Sequence, residues 1–284
     1  MKRTIRHCFL VSALLGVALW ASGAPAPKAV MSRGVFAEGA ARVSPDWGVA
    51  GEFGTWTVKY EVGKAEIQTG GGIRVQLPDT WHSGPRNSAN RLQATDPKDE
   101  HYVKAYSSRA GVKLETTVEG EERIRLVKSQ RPSLDGRLER YVFVVRVRVT
   151  EGVLQEGDVI SVVYGDRSGG SPGYRAADIA TSSEPVLVAV DARGNNQFQL
   201  LKNPPFIRAW AGEPTELLVN APSQAPVNRP LTLKVALLDV QRNPAVQPER
   251  VQFTVLTGRA EVSGVLEIPQ FKGWGEITVI PKAV

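Results

Sequence analysis

The chain is short of the residues from which most enzymes build a reactive centre. Among 284 residues there is one cysteine, Cys8, and there are three histidines. A single cysteine makes no internal disulfide and no thiolate metal cluster. Long apolar runs are missing too: the longest, residues 9–20, is too short to span a bilayer, which takes roughly 20 apolar residues. No segment beyond it keeps a 3.6-residue period for ten residues, so amphipathic helices are not expected. What is abundant is Gly (27) and Pro (19), the punctuation of short strands and turns. At 42% apolar and 23% charged residues, the composition is that of a folded protein rather than a disordered one.

The net charge of +6 divides unevenly along the chain. Lys2, Arg3 and Arg6 precede the apolar run, and Ala21, Ser22, Gly23 and Ala24 follow it. Basic start, apolar middle and small-residue end form a secretory signal peptide, read here as residues 1–24, with cleavage after Gly23, Ala24 or Ala26. Its removal takes away Cys8 and leaves 32 basic against 29 acidic residues, a net +3. A cysteine-free exported protein relies on its core rather than on a disulfide framework. The near balance of charge removes the concentrated basic footprint that nucleic-acid binding needs. The expected location is the periplasm or the extracellular space.

Strand signals run through the rest. Apolar and polar residues alternate over 55–62, 73–77, 112–115 and 123–126; residues 141–150 form the longest run. Further strands are expected at 158–164, 186–190, 215–219, 231–238, 251–256 and 275–280. The reading is an all-β protein of two tandem antiparallel β-sandwiches, the second immunoglobulin-like. Residues 25–50 are expected to be a loosely packed N-terminal arm, with 51–202 the larger sandwich. Lys202-Asn203-Pro204-Pro205 mark the boundary, since two prolines interrupt a strand, and 205–284 form the smaller sandwich.

Two loops stand out. Residues 78–101 have no strand signal and hold Trp81, His82, Arg86 and His101. Trp81 either stacks on a sugar ring or a partner protein, or folds back to anchor the loop. The two histidines, with Asp79, Asp96, Asp99 and Glu100, either form a loop-borne metal site or are surface residues; no H-x-H or H-E-x-x-H spacing is present. Residues 165–175, GDRSGGSPGYR, hold Asp166, Arg167, Ser168, Tyr174 and Arg175. Ser168 lacks the G-x-S-x-G spacing and following helix of a nucleophile elbow. The stretch reads as a glycine-rich turn whose hydroxyls satisfy backbone groups; the alternative is that Asp166 pairs with Arg167 and Arg175 and pins the loop. Asp191 and its neighbours read as a hairpin turn rather than a calcium loop. If their strands lie side by side, Arg123, Arg125, Arg146 and Arg148 make a basic stripe on one wet face unless nearby glutamates neutralise it; the alternative is that they are ordinary solvated strand residues. Trp56 is expected in the core, and Trp210 and Trp274 inside or at the edge of the second sandwich.

Gly157-Asp158, Val163-Tyr164-Gly165-Asp166-Arg167-Ser168-Gly169-Gly170-Ser171-Pro172-Gly173-Tyr174-Arg175, Val188 to Asp191, Pro204-Pro205 and Ala211-Gly212-Glu213-Pro214 occur in that order, after Gly70-Gly71-Gly72-Ile73. Over most of residues 50–255 they resemble a secreted bacterial family of unknown function. Its members look like β-sandwich regions placed ahead of a metal-dependent domain similar to the polymerase-and-histidinol-phosphatase (PHP) phosphoesterases. The resemblance implies a metal site in that downstream domain, whose histidine-rich motif does not occur here, so no metal ligand is carried over. The expectation is therefore a non-catalytic, cofactor-free binding or accessory module for a glycan, an envelope component or a partner protein. The alternatives are the N-terminal portion of a PHP-like enzyme and a structural spacer.

Overall fold

A computed structural model describes residues 30–31, 36–82, 92–120 and 143–282. The expected leader, and the strand expected at 123–126, lie outside them. Trp56–Glu61 shows why the chain builds sheets. Trp56, Val58 and Tyr60 are at most 3% exposed, while Thr57, Lys59 and Glu61 point away from the core. This strand lies between Ala40–Ser44 and Val159–Tyr164, and Val103–Ser107 completes a four-stranded antiparallel sheet. Facing it is a six-stranded sheet with Gly72–Gln76 near its middle, between Leu187–Asp191 and Phe143–Glu151. Val188, Val75 and Val145 stand in register across those three strands, and Val58, Ile160 and Val162 come from the opposite sheet into the same core. Each fully buried aliphatic side chain contributes about 1.5–3 kcal/mol, so this core carries the stability of the first unit.

A third layer closes one end. Phe206–Trp210 pairs antiparallel with Glu184–Pro185 and parallel with Trp47–Val49. Two expectations change here. Residues 40–49 are strands rather than a loose arm, because Ala41 and Val43 pack on the core and residues 40–44 extend the sheet edge. The prolines at 204 and 205 mark a bend, not a boundary: Ile207 and Ala209 beyond them are buried in the first core. The division between the units therefore falls after Ala211.

The second unit is thinner. Its four-stranded sheet runs Glu216–Asn220, Leu231–Leu238, Trp274–Lys282, Arg259–Val262, and a separate antiparallel pair, Glu249–Gln252 with Val265–Ile268, packs on it. Val235, Leu237, Ala245, Leu266, Ile268 and Ile277 form its core among the described residues. So small a core makes contact with the first unit important. That contact is aromatic where Trp210 meets Phe271 and polar around Asp239. Asp239, 1% exposed, accepts hydrogen bonds from the N–H groups of Gly212 (2.9 Å), Gln241 (2.9 Å) and Asn243 (2.7 Å). Asn243 in turn accepts from Ala180 N–H at 2.8 Å and donates to the Asp178 carbonyl at 2.9 Å. An unmade buried hydrogen bond costs about 1–3 kcal/mol. Asn243→Ala is therefore expected to cost about 2–3 kcal/mol in urea unfolding, with the second unit melting ahead of the first in calorimetry. An unchanged midpoint would show that the junction does not depend on this side chain.

Candidate functional site

Loop 165–175 leaves the end of Val159–Tyr164 and is held on every side. Gly165 and Asp166 both donate their N–H groups to the Tyr102 carbonyl, at 2.8 and 3.2 Å. The Asp166 carboxylate accepts a hydrogen bond from the Tyr106 hydroxyl and another, at 2.8 Å, from Ser168 N–H. Ser168 Oγ stands 3.4 Å from the same Tyr106 oxygen. Gly173, at φ +123°, occupies a backbone region that other residues avoid, and its carbonyl accepts from His101 N–H at 2.9 Å. Tyr174–Arg175 then pairs with Phe53–Gly54.

The arginines close the loop by contacts other than Asp166 ion pairs. Arg167 donates to the Phe53 carbonyl at 3.2 Å. Arg175 donates to the Gly51 carbonyl at 2.9 Å and pairs with Asp178 at 2.7 Å. Asp166 sits instead under Tyr106. Burial raises the Asp166 pKa, but the hydrogen bonds from Tyr106 and Ser168, with the charge of Lys104, outweigh it and leave the group below its ordinary value. Tyr106 is raised correspondingly, by burial and by its bond to Asp166. Both shifts hold the phenol protonated and the carboxylate ionised, a locked pair rather than a proton-transfer pair.

Trp81 is not a platform for a ligand. It is 2% exposed, ends its short 3₁₀ turn (Asp79–His82) against Trp56 at 4.9 Å edge to face, and its carbonyl accepts from the Tyr174 hydroxyl at 2.7 Å. It is the loop's anchor, and the ring face needed for a sugar is already in the core. His82 closes that turn, and Arg86 lies outside the described residues. Tyr174 is buried as well.

His101 is not a surface residue. It is 3% exposed, at φ +59°, with its ring 4.8 Å from Tyr174 and 5.9 Å from Phe53. Neither ring nitrogen has a hydrogen-bond partner, and the nearest carboxylate, Glu100, is 3.9 Å from Nε2. Asp96 and Asp99 use their carboxylates on the N–H groups of Lys98 and Glu100. Among the described residues no three His, Cys, Asp or Glu side chains gather as a metal-holding group. Asp191 accepts from the N–H groups of residues 193, 194, 195 and 196, so its carboxylate shapes the hairpin turn. Of the basic stripe, Arg146 is paired with Glu119, which also binds Arg74, while Arg148 is exposed and makes no ion pair among the described residues. Arg123 and Arg125 fall outside the described residues.

The sequence reading did not single out the exposed aromatics Phe206 (51%) and Phe271 (63%), and Trp47 is 48% exposed as well. The alternation Phe206-Ile207-Arg208-Ala209-Trp210 was the available signal, hidden by the prolines before it.

The fold defines an all-β protein of packed sheets, and among the described residues no helix is long and apolar enough to cross a membrane. No family model matches the chain, and no curated protein sequence is similar to it. Among solved structures it is similar to the adhesin InvE of Yersinia pseudotuberculosis, at 10% identity over 86% of this chain and a TM-score of 0.23. The chain spans 51% of that structure's length. A TM-score so low transfers neither fold detail nor function.

Burial lowers the His101 pKa to about 4, and the charge of Arg175 acts in the same direction against Asp99. A folded-state pKa below the unfolded value near 6.5 means the unfolded chain binds the extra proton first. Stability from this group is complete above pH 6.5 and is lost as pH falls toward 4. His101→Asn, which tolerates the left-handed backbone, is expected to remove on the order of 2 kcal/mol of the stability difference between pH 7 and pH 4 in urea titrations. An identical pH dependence in the variant would show that His101 does not titrate with folding.

Proposed function

We propose that the protein is an exported, non-catalytic binding or accessory module, two β-sandwiches of which the second is immunoglobulin-like in size, presenting a surface to an extracytoplasmic ligand. The observation that carries this reading is how loop 165–175 uses its reactive groups. Asp166 and Ser171 accept hydrogen bonds from the N–H groups of Ser168 and Gly173, and Arg167 and Arg175 donate to the carbonyls of Phe53 and Gly51, which makes a rigid scaffold. Rigid sheets that present side chains at fixed spacing lower the entropy cost of binding. The leader-like start supports export.

The resemblance carried by residues 165–175 favours a second reading, in which the chain is the N-terminal portion of a PHP-like phosphoesterase. The two are separated by assay. Purified full chain supplied with Mn²⁺ or Zn²⁺ is expected to hydrolyse p-nitrophenyl phosphate no faster than buffer. Turnover that a chelator abolishes would overturn the binding-module reading in favour of the enzyme. Fractionation of the source cells should place the protein outside the cytoplasm, beginning at residue 24, 25 or 27; a cytoplasmic, uncleaved chain would contradict export.

A further inference from the structure

The closing layer of the first unit has two unlike faces. Phe206–Trp210 sends Ile207 and Ala209 into the core and turns Phe206, Arg208 and Trp210 outward. Beside it, Trp47 is in register with Arg208 and Val49 with Trp210, while Gly48 between them faces the Trp56 ring. The outward side chains form a connected row. Asp46 stands 3.8 Å from the Arg208 guanidinium, which lies 5.4 Å from the centre of the Trp210 ring. The Trp210 ring meets Phe271 of the second unit at 5.5 Å. Three positions on from Phe271, Trp274 is 46% exposed with Lys272 Nζ 4.6 Å over its ring. Among the described residues Lys272 has no carboxylate within ion-pairing distance.

Exposed aromatics grouped in this way mark interaction surfaces on soluble proteins. The chemistry of the row narrows the partner. A protein-binding centre is apolar and depleted of charge, with polar groups at its rim. Here a charged pair, Asp46–Arg208, sits in the middle, with Trp47, Phe206 and Trp210 around it. Flat rings offer stacking faces to the C–H faces of pyranose sugars, and Arg208 and Asp46 between them supply donors and an acceptor for hydroxyls. Phe206, Arg208 and Trp210 repeat every second residue, about 6.6 Å apart, so the strand presents its groups along a line that suits an extended chain. Arg208, with Asp46 at 3.8 Å, and Lys272, next to Phe271 in the chain and without an ion pair among the described residues, favour an anionic chain, and a guanidinium binds a carboxylate in a two-point fork.

We infer that this face, centred on Trp47, Arg208, Trp210 and Phe271, binds an acidic polysaccharide, its sugar rings stacked on the aromatics and its carboxylates held by Arg208 and Lys272. The inference rests on the binding-module reading and assigns it a site and a ligand class. Arg208 is shared between Asp46 and Trp210 in the free protein, and its fork is completed by a sugar carboxylate.

The test is affinity electrophoresis of the purified full chain in native gels containing polygalacturonate, or dextran as the neutral comparison. Polygalacturonate is expected to retard the wild type and dextran to do so far less. Trp47→Ala and Phe271→Ala should each weaken retardation about tenfold, as truncation of a stacking anchor does, while Trp47→Phe stays within about twofold. Arg208→Gln should abolish the preference for the acidic chain. Thermal melting confirms that each variant is folded, which the exposure of Trp47 and Phe271 favours. Retardation unchanged in the Trp47→Ala/Phe271→Ala double variant overturns the site while leaving a polysaccharide-binding module. Absence of retardation in both gels, with an envelope protein captured from extracts and lost in the same double variant, overturns the ligand class and leaves the module. Absence of both overturns the site and removes the support for the module itself.

Discussion

The first unit is organised around the indole of Trp56. It is sandwiched between two glycines: a Cβ at Gly48 would come within 2.6 Å of the ring and one at Gly54 within 2.5 Å. Its Nε1–H donates to the Trp47 carbonyl at 2.9 Å, and its ring meets Trp81 and Tyr174 edge to face at 4.9 and 6.4 Å. One side chain thereby sets the positions of three separate segments. The strand carrying Trp47 approaches through Gly48, the Phe53–Gly54 strand that holds loop 165–175 approaches through Gly54, and the long loop is drawn in through Trp81. A side chain larger than hydrogen at either glycine forces backbone away from the ring, and such overpacking costs about 1–3 kcal/mol. Both the glycine-rich loop and the aromatic face inherit their geometry from this contact.

Polar groups follow a common logic outside that core. Asp166, Asp191 and Asp239 are each nearly buried, and each accepts hydrogen bonds from backbone N–H groups of its own turn. A buried carboxylate satisfied in this way stabilises a turn instead of awaiting a substrate. Arg74, 3% exposed, is paired with Glu119 and lies 4.5 Å over the Phe198 ring. Asp166 and Asp191, two of the residues singled out from sequence, thus have their carboxylates committed to hydrogen bonds within the fold. Arg208 and Lys272, stacked on rings at the surface, keep donors toward solvent.

Much of the fold was legible because local alternation and burial coincide. Trp56–Glu61 alternates in sequence and alternates in exposure, whereas Val159–Tyr164 alternates in exposure only. Gly72–Gln76 alternates too, yet all five residues are buried. Its polar face is covered through Arg74, whose partners Glu119 and Phe198 lie 45 and 124 positions away, beyond any local pattern. The hairpin at Asp191 was legible from its residue types. The fate of Trp81 was not, because a polar loop does not reveal that its one large ring packs on Trp56. The unit boundary was misread for a similar reason: Pro204 and Pro205 end one strand, but the next returns to pair in parallel with Trp47–Val49, more than 150 residues earlier. That long-range pairing also creates the aromatic face, so no single segment announces it.

In the binding-module reading, the working surface is the outward side of the Trp47–Trp210 layer and not the glycine-rich loop. Hydrogen–deuterium exchange of the full chain with and without polygalacturonate addresses it most directly. Slowed exchange is expected in peptides covering residues 46–49, 206–210 and 271–274, with loop 165–175 unchanged. Protection confined to loop 165–175, or absent everywhere, would contradict it.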